Sequence, residues 1–278
     1  MRYVITGGSG FLGRAVVKLL SESGEPVTRV TRRALASEPG VTDLCVSCYD
    51  ALPARMEDAT LIHAGEPAEI ASAEAGGDAH IEAMRGLLDK LLARGFAHVV
   101  YVSSAAVYGD AVTIPRRPDE AIAPHGAYAR AKAACEAEAL AQGGAVARLS
   151  NLFGPGMARS TVVADVLAQI PGHGPLRLRD EAPVRDYLWI EDAARALVAC
   201  ARRPFTDIVN IGTAIGTSAG ALARLALGLA GESERPVVST APSGRASHLV
   251  LDIERTRAQL DWAPRTSLAD GLARMLAA

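Results

Sequence analysis

The sequence predicts an α/β fold, a doubly wound parallel sheet with a smaller C-terminal lobe, on three observations. Short apolar runs alternate with amphipathic stretches through the first three-quarters of the chain, a glycine-rich turn joins the first run to the first amphipathic stretch, and the texture changes after Asn151. The first strand is Tyr3-Val4-Ile5, and the helix after the turn places Leu12, Val16, Leu19 and Leu20 at helical spacing before Gly24 and Pro26 end it. Further strands are expected at 27–30, 44–48, 61–64, 99–103 and 146–149, with helices at 81–94 and 127–142 between them. Strands buried on both faces read as continuous apolar runs, which is why a parallel sheet is favoured.

Beyond 150, Gly154-Pro155-Gly156 and Pro171-Gly172-His173-Gly174-Pro175 punctuate the chain and suggest loops and short elements. The expected organisation is a dinucleotide-binding unit at 1–155, to which 187–212 returns with a helix at 191–201 and a strand at 208–211, and a substrate lobe made of 156–186 and 213–278. The alanine-rich stretch 64–79 is expected to be a loop.

The 278 residues carry a formal charge of -2, with 49% hydrophobic and 22% charged residues, the balance of an ordinary globular protein. Basic residues are scattered, so no nucleic-acid footprint is present. No run reaches the roughly eighteen apolar residues of a membrane span, and the strand beginning at Arg2 has no charged leader before it, so a cytoplasmic protein is expected. Cys45 and Cys48 fall in the predicted strand 44–48, where they should pack as small hydrophobes, and neither the four cysteines nor His63, His80, His98 and His125 show metal-ligand spacing.

The turn Thr6-Gly7-Gly8-Ser9-Gly10-Phe11-Leu12-Gly13 sets Gly7, Gly10 and Gly13 between strand and helix, where glycines permit a tight turn and close pyrophosphate approach and the amides at Phe11, Leu12 and Gly13 face the phosphates. This is the Rossmann-type fingerprint of a dinucleotide site. At the end of the second strand a carboxylate would hold the adenosine ribose of NAD; the chain instead reads Thr31-Arg32-Arg33, whose guanidiniums suit a 2′-phosphate and favour NADP over NAD. Asp50, with Tyr49, is expected near the adenine.

Tyr128-Ala129-Arg130-Ala131-Lys132 puts a phenol and an ammonium four residues apart on one helical face. A free phenol titrates near pH 10, so a phenol acting as base near pH 7 needs a shift of about three units, roughly 4 kcal/mol, which a neighbouring cation helps supply. Upstream, the strand ending in Ser103-Ser104 emerges at the carboxyl edge of the sheet, where Ser104 can hold a reacting hydroxyl.

With Leu61-Ile62-His63-Ala64, Ser103 to Gly109, Tyr128 to Lys132, the segments Arg148 to Gly156 and Arg185 to Asp192, Asn210-Ile211-Gly212 and Leu260 to Pro264, these residues resemble the extended short-chain dehydrogenase/reductases, in the NAD-dependent epimerase/dehydratase branch. The resemblance covers nearly the whole chain. It implies that Ser104 polarises the substrate hydroxyl, that Tyr128 shuttles its proton and that Lys132 also bonds the nicotinamide ribose. It further implies cofactor contacts along His63, Ala64 and Ser103, diphosphate contacts from Asn151, Arg185 and Arg245, and a homodimer through the helices at 81–94 and 127–142. Ion pairing of Arg185 with Asp186, and a solvated loop position for Arg245, are the purely structural alternatives.

Two departures shape the expected function. The 4,6-dehydratases of this family carry an Asp-Glu pair where this chain has Ala105-Ala106, which disfavours elimination of water, and the C-terminal lobe is short. The expected function is a nucleotide-sugar epimerase with a bound nicotinamide cofactor; the alternative is an NADPH-dependent ketoreductase, and a non-catalytic dinucleotide sensor stands behind both.

Overall fold

The computed structural model describes residues 1–53, 55–66 and 70–277, apart from the side chain of residue 50. Its order is β1 (Arg2–Thr6), α1 (Phe11–Glu22), β2 (Val27–Thr31), β3 (Val41–Cys45), β4 (Ala59–His63), α2 (Ile70–Leu92), β5 (His98–Ser104), α3 (Gly126–Ala141), β6 (Ala145–Leu149), β7 (Asn151–Phe153), α4 (Val162–Ala168) and β8 (Leu176–Leu178). The chain continues through β9 (Val184–Trp189), α5 (Ile190–Arg202), β10 (Ile208–Ile211), β11 (Gly216–Ser218), α6 (Ala219–Leu229), β12 (Val237–Ser239), β13 (His248–Leu249), α7 (Glu254–Leu260) and α8 (Leu268–Leu276).

Seven strands form one sheet in the order β10-β6-β5-β4-β1-β2-β3, and every pairing in it is parallel. The order reverses beside β1, as in a doubly wound Rossmann sheet. Helices α1 and α5 pack together on one face, α2 and α3 on the other. β1, β4, β5 and β6 are therefore buried on both sides, as their Val, Ile and Leu content requires. A second assembly joins β7, β9, β11 and β13, with a smaller core around Phe153, Leu176, Trp189 and Leu222.

Three expectations are corrected. The third strand lies at Val41–Cys45, earlier than the predicted 44–48, and forms the edge of the sheet with β2 as its single neighbour. Only Val46 of the predicted run is fully buried, so Cys45 and Cys48 are exposed free thiols rather than packed hydrophobes. The alanine-rich stretch is mostly helix, because α2 begins at Ile70, ahead of the predicted 81, and bends where Gly77 adopts φ 52°. Alanine is the strongest helix former, so richness in it argues for a helix before it argues for a loop.

Candidate active site

The phosphate end is built where β1 turns into α1. Gly7 has φ 67°, and a Cβ there would lie 2.3 Å from the Ala64 carbonyl oxygen. A Cβ on Gly13 would lie 2.1 Å from the Gly7 carbonyl oxygen, so the helix docks onto the turn at a distance that only hydrogen allows. The Gly10 amide donates to the Gly7 carbonyl (2.8 Å), and α1 starts at Phe11 with no side chain capping it. The amides of Phe11, Leu12 and Gly13 thus head a helix whose dipole and N–H groups suit an anion.

Along the carboxyl edge, β2 ends at Thr31, whose hydroxyl donates to the Arg33 carbonyl (2.6 Å) and folds the chain so that Arg32 and Arg33 lie exposed past the strand end. The nearby Arg29 is unlike them: it is buried and bound to Asp43 (2.7 and 2.9 Å) and to Glu38, which spends its charge on the scaffold. Asp50, expected near adenine, has a side chain outside the described residues. After β4, Ala64 donates to the Thr6 carbonyl (3.3 Å), and Gly65 admits the Tyr49 hydroxyl, which would stand 2.5 Å from a Cβ. His63 is fully buried, with Nδ1 2.6 Å from the Thr6 hydroxyl, so its ring serves the scaffold and any cofactor contact falls to the chain around it.

Ser104 ends β5 half-buried, and its oxygen accepts from the Ala106 amide (3.2 Å), which leaves the hydroxyl hydrogen free to point outward. Its neighbour Ser103 is buried and donates to Glu136 beneath the sheet. Tyr128 sits half-buried in the first turn of α3. That turn is fixed from α2, since the Glu74 carboxylate accepts from the amides of Ala127 (2.9 Å) and Tyr128 (3.3 Å), and these backbone bonds hold its carboxyl below the ordinary range. Gly126 makes this cap possible: its φ is 79°, and a Cβ would come within 2.3 Å of Glu74 Oε1. Lys132 lies one turn further along α3, which packs on β5, and donates to the Val102 carbonyl (2.8 Å) while pairing with Glu66 Oε2 (2.7 Å).

Asp110 gathers the expected phosphate arginines. Arg245 reaches it in two bonds (2.9 and 3.0 Å), Arg185 lies 3.4 Å from it and donates to the Ser247 hydroxyl (2.8 Å), and Ser247 in turn donates to Asp110. The hydrogen bonds from Arg245, against the opposing effect of burial, hold the Asp110 carboxyl down at about 2. Because the folded value is depressed, whatever stability this cluster adds is present above the ordinary carboxylate range near pH 4 and fades as pH falls toward 2. The pairing of Arg185 with Asp186 does not occur: Asp186 is fully buried and accepts from the amide and hydroxyl of Thr213 and the amide of Ala214. Asn151 opens β7, exposed.

Three features fit a nicotinamide dinucleotide: the side-chain-free turn, the uncapped helix end and a buried ammonium with one hydrogen left beyond Val102 and Glu66. The residues expected to hold it are Gly7 to Gly13 at the phosphates, Arg32 and Arg33 at the adenosine, and Tyr128 and Lys132 at the reacting end. Sequence reasoning missed Glu66, Glu74, Asp110 and Glu136, four carboxylates that organise the helpers. An acidic residue two positions after the strand-end Ala64 was the one signal for Glu66.

A glycine turn opening a parallel sheet, with serine, tyrosine and lysine at its carboxyl edge, defines an NAD(P)-dependent enzyme of the extended short-chain dehydrogenase type. The chain belongs to the NAD-dependent epimerase/dehydratase family, whose model matches residues 3–212. It is similar to the UDP-glucose 4-epimerase of Azospirillum brasilense, at 26% identity over 98% of this chain and 90% of that protein. It is also similar to the dTDP-6-deoxy-L-talose 4-dehydrogenase (NAD(P)(+)) of Kitasatospora kifunensis, at 26% identity over 98% of this chain and 93% of that protein. The fold matches the crystal structure of the UDP-glucose 4-epimerase of Thermotoga maritima with a TM-score of 0.84, at 23% identity over 100% of this chain and 98% of the other. Among the described residues no helix is long and apolar enough to cross a membrane.

Proposed function

We propose that the protein is a nucleotide-sugar epimerase in which Ser104, Tyr128 and Lys132 move the proton of a sugar hydroxyl beside a tightly held nicotinamide cofactor. The observation that carries this reading is the pairing of two clusters: the Ser104, Tyr128 and Lys132 group on β5 and α3, and the Arg185 and Arg245 guanidiniums gathered at Asp110 in the loop that follows β5. Arginine forks suit the oxygens of a diphosphate. Tyr128 takes the hydroxyl proton and later returns it, Ser104 donates to the same oxygen, and Lys132 holds the ribose and the charge balance. The nicotinamide, when bound, supplies reversible hydride acceptance. Ala105 and Ala106 provide no carboxylate for dehydration. The relative in Azospirillum brasilense, named as a 4-epimerase, supports the same reading. A cytoplasmic homodimer joined through α2 and α3 belongs to the proposal.

A second reading, an NADPH-dependent ketoreductase, is favoured by the exposed Arg32 and Arg33 at the end of β2 and by the similarity to a 4-dehydrogenase named for NAD(P)(+). An epimerase regenerates its cofactor in each cycle and gains by retaining it, whereas a reductase must exchange it. Denaturing the purified enzyme and weighing the released dinucleotide separates the two: stoichiometric, slowly exchanging dinucleotide supports the epimerase, and an empty site that prefers added NADPH supports the reductase. The adenosine end has its own test. The double substitution Arg32→Ala and Arg33→Ala should weaken NADP(H) binding about 10- to 100-fold, the loss of one or two charge-assisted contacts, with NAD(H) binding changed less than about threefold. Equal effects on both cofactors, read by fluorescence titration, would remove the two arginines from the 2′-phosphate.

A further inference from the structure

We propose that Glu66 is a positioning residue for the Tyr128 and Lys132 pair: it orients the Lys132 ammonium against β5 and offsets part of the positive field that Lys132 exerts on the Tyr128 phenol. The inference rests on the reading of Tyr128 as the proton carrier and adds the element that sets when it carries one.

The geometry is that of a built counter-ion site. The side chains of Lys132 and Glu66 are 10% and 5% exposed, so their 2.7 Å contact is shielded from water. A buried lysine would otherwise be free to swing on four carbons; here one ammonium hydrogen goes to the Val102 carbonyl and a second to Glu66. Glu66 is itself anchored from both neighbouring strands. The Tyr101 hydroxyl lies 3.0 Å from each of its oxygens, and His63 Nε2 stands 3.4 Å away. His63 is fixed in turn by Thr6 and stacks on the Tyr101 ring at 5.9 Å.

The groups facing this pair are His63 from β4, Tyr101 from β5, Tyr49 from the turn after β3, and Tyr128 and Cys135 from α3. Burial pushes the Tyr49 and Tyr101 phenols up and the Cys135 thiol up to about 12, so these three stay neutral near pH 7. Glu66 is left as the anion beside Lys132. Burial is the largest single influence on both and opposes their charges, raising the Glu66 carboxyl and lowering the Lys132 ammonium; Lys132 and His63 together nevertheless hold Glu66 low, and Glu66 with Tyr128 and Cys135 leaves the ammonium raised. An ammonium with a carboxylate in contact acts on its surroundings as a dipole, whose field falls off faster than that of a lone charge. Paired with Glu66, Lys132 therefore exerts a weaker positive field on Tyr128, one turn earlier on the same helix, than an unpaired lysine would.

The test needs no substrate. The phenolate absorbance of the purified enzyme, taken as the difference from its Tyr128→Phe counterpart, is titrated with Glu66 intact and with Glu66→Gln. The midpoint is expected to fall by about one pH unit in Glu66→Gln and to return to within about 0.3 unit of the native value in Glu66→Asp, which keeps the charge. The acid limb of kcat/KM should move by the same amount. If Glu66→Gln does not fold, the double substitution Glu66→Ala with Tyr101→Phe removes the charge together with the donor it would orphan, and the same fall is expected. Unmoved midpoints in a folded variant, whether or not activity is lost, would overturn the proposal and reduce Glu66 to a structural partner. Turnover that survives Tyr128→Phe would instead overturn the proton-carrier reading, a result the Glu66 titration cannot mimic.

Discussion

Replacing Tyr128 by Phe should lower kcat by about 10³-fold or more while leaving the affinity for the dinucleotide within about threefold, the range expected when a positioned acid/base group is removed and its ring is kept. The hydroxyl is the only atom lost. α3 should stay in place, because its first turn is held by Glu74 through the backbone amides of Ala127 and Tyr128 and asks nothing of the phenol oxygen. Lys132 also keeps its two partners, Val102 and Glu66, so the cofactor side of the site is unchanged. The measurement is a pair: steady-state turnover and titration with NAD(P)H on the same preparation. Lost turnover with retained binding identifies Tyr128 as the proton carrier. Unchanged turnover would sink the mechanism and require another group to carry the proton.

The fold was legible because the central strands are buried on both faces, so that Tyr3 to Ile5, 61–64 and 99–103 show their burial as plain apolar runs. β3 was placed three residues late because an edge strand is half solvated and its pattern, Val41-Thr42-Asp43-Leu44-Cys45, carries no such run. Local geometry also rules out one alternative, the pairing of Arg185 with Asp186. Successive side chains of a strand point to opposite faces, so Arg185 and Asp186 on β9 cannot meet as neighbours. Arg185 finds Asp110, 75 residues earlier in the chain, and Asp186 is buried among backbone amides. The candidate catalytic pair could be seen because Tyr128 and Lys132 sit on one helix four residues apart. The carboxylates that organise them could not, because Glu66 meets Lys132, and Asp110 meets Arg245, only through the completed sheet.

Beneath that sheet lies the other large effect. Glu136→Gln should destabilise the protein by about 3–5 kcal/mol, because it leaves the buried Arg148 guanidinium without its counter-charge. The two side chains are each 4% exposed and joined by bonds of 2.9 and 2.7 Å, with the Ser103 hydroxyl donating to the same carboxylate. Arg148 also packs over the Tyr108 ring, 4.7 Å from its centroid, and Tyr108 donates to Asn210 (2.7 Å), so one buried polar network ties together β5, α3, β6 and β10. For a domain of this size the loss corresponds to a fall in Tm of about 10 °C. A buried ion pair is a weak source of net stability, since its attraction is largely spent on desolvation, so the double substitution Glu136→Leu with Arg148→Met should cost less than the single one. The two outcomes separate structure from chemistry. Turnover per folded molecule at a temperature well below the transition should change little in Glu136→Gln, in contrast to Tyr128→Phe, where Tm holds and turnover is lost. A Tm within about 2 °C of the native value would mean that water reaches Arg148 and that the network is less buried than its geometry requires.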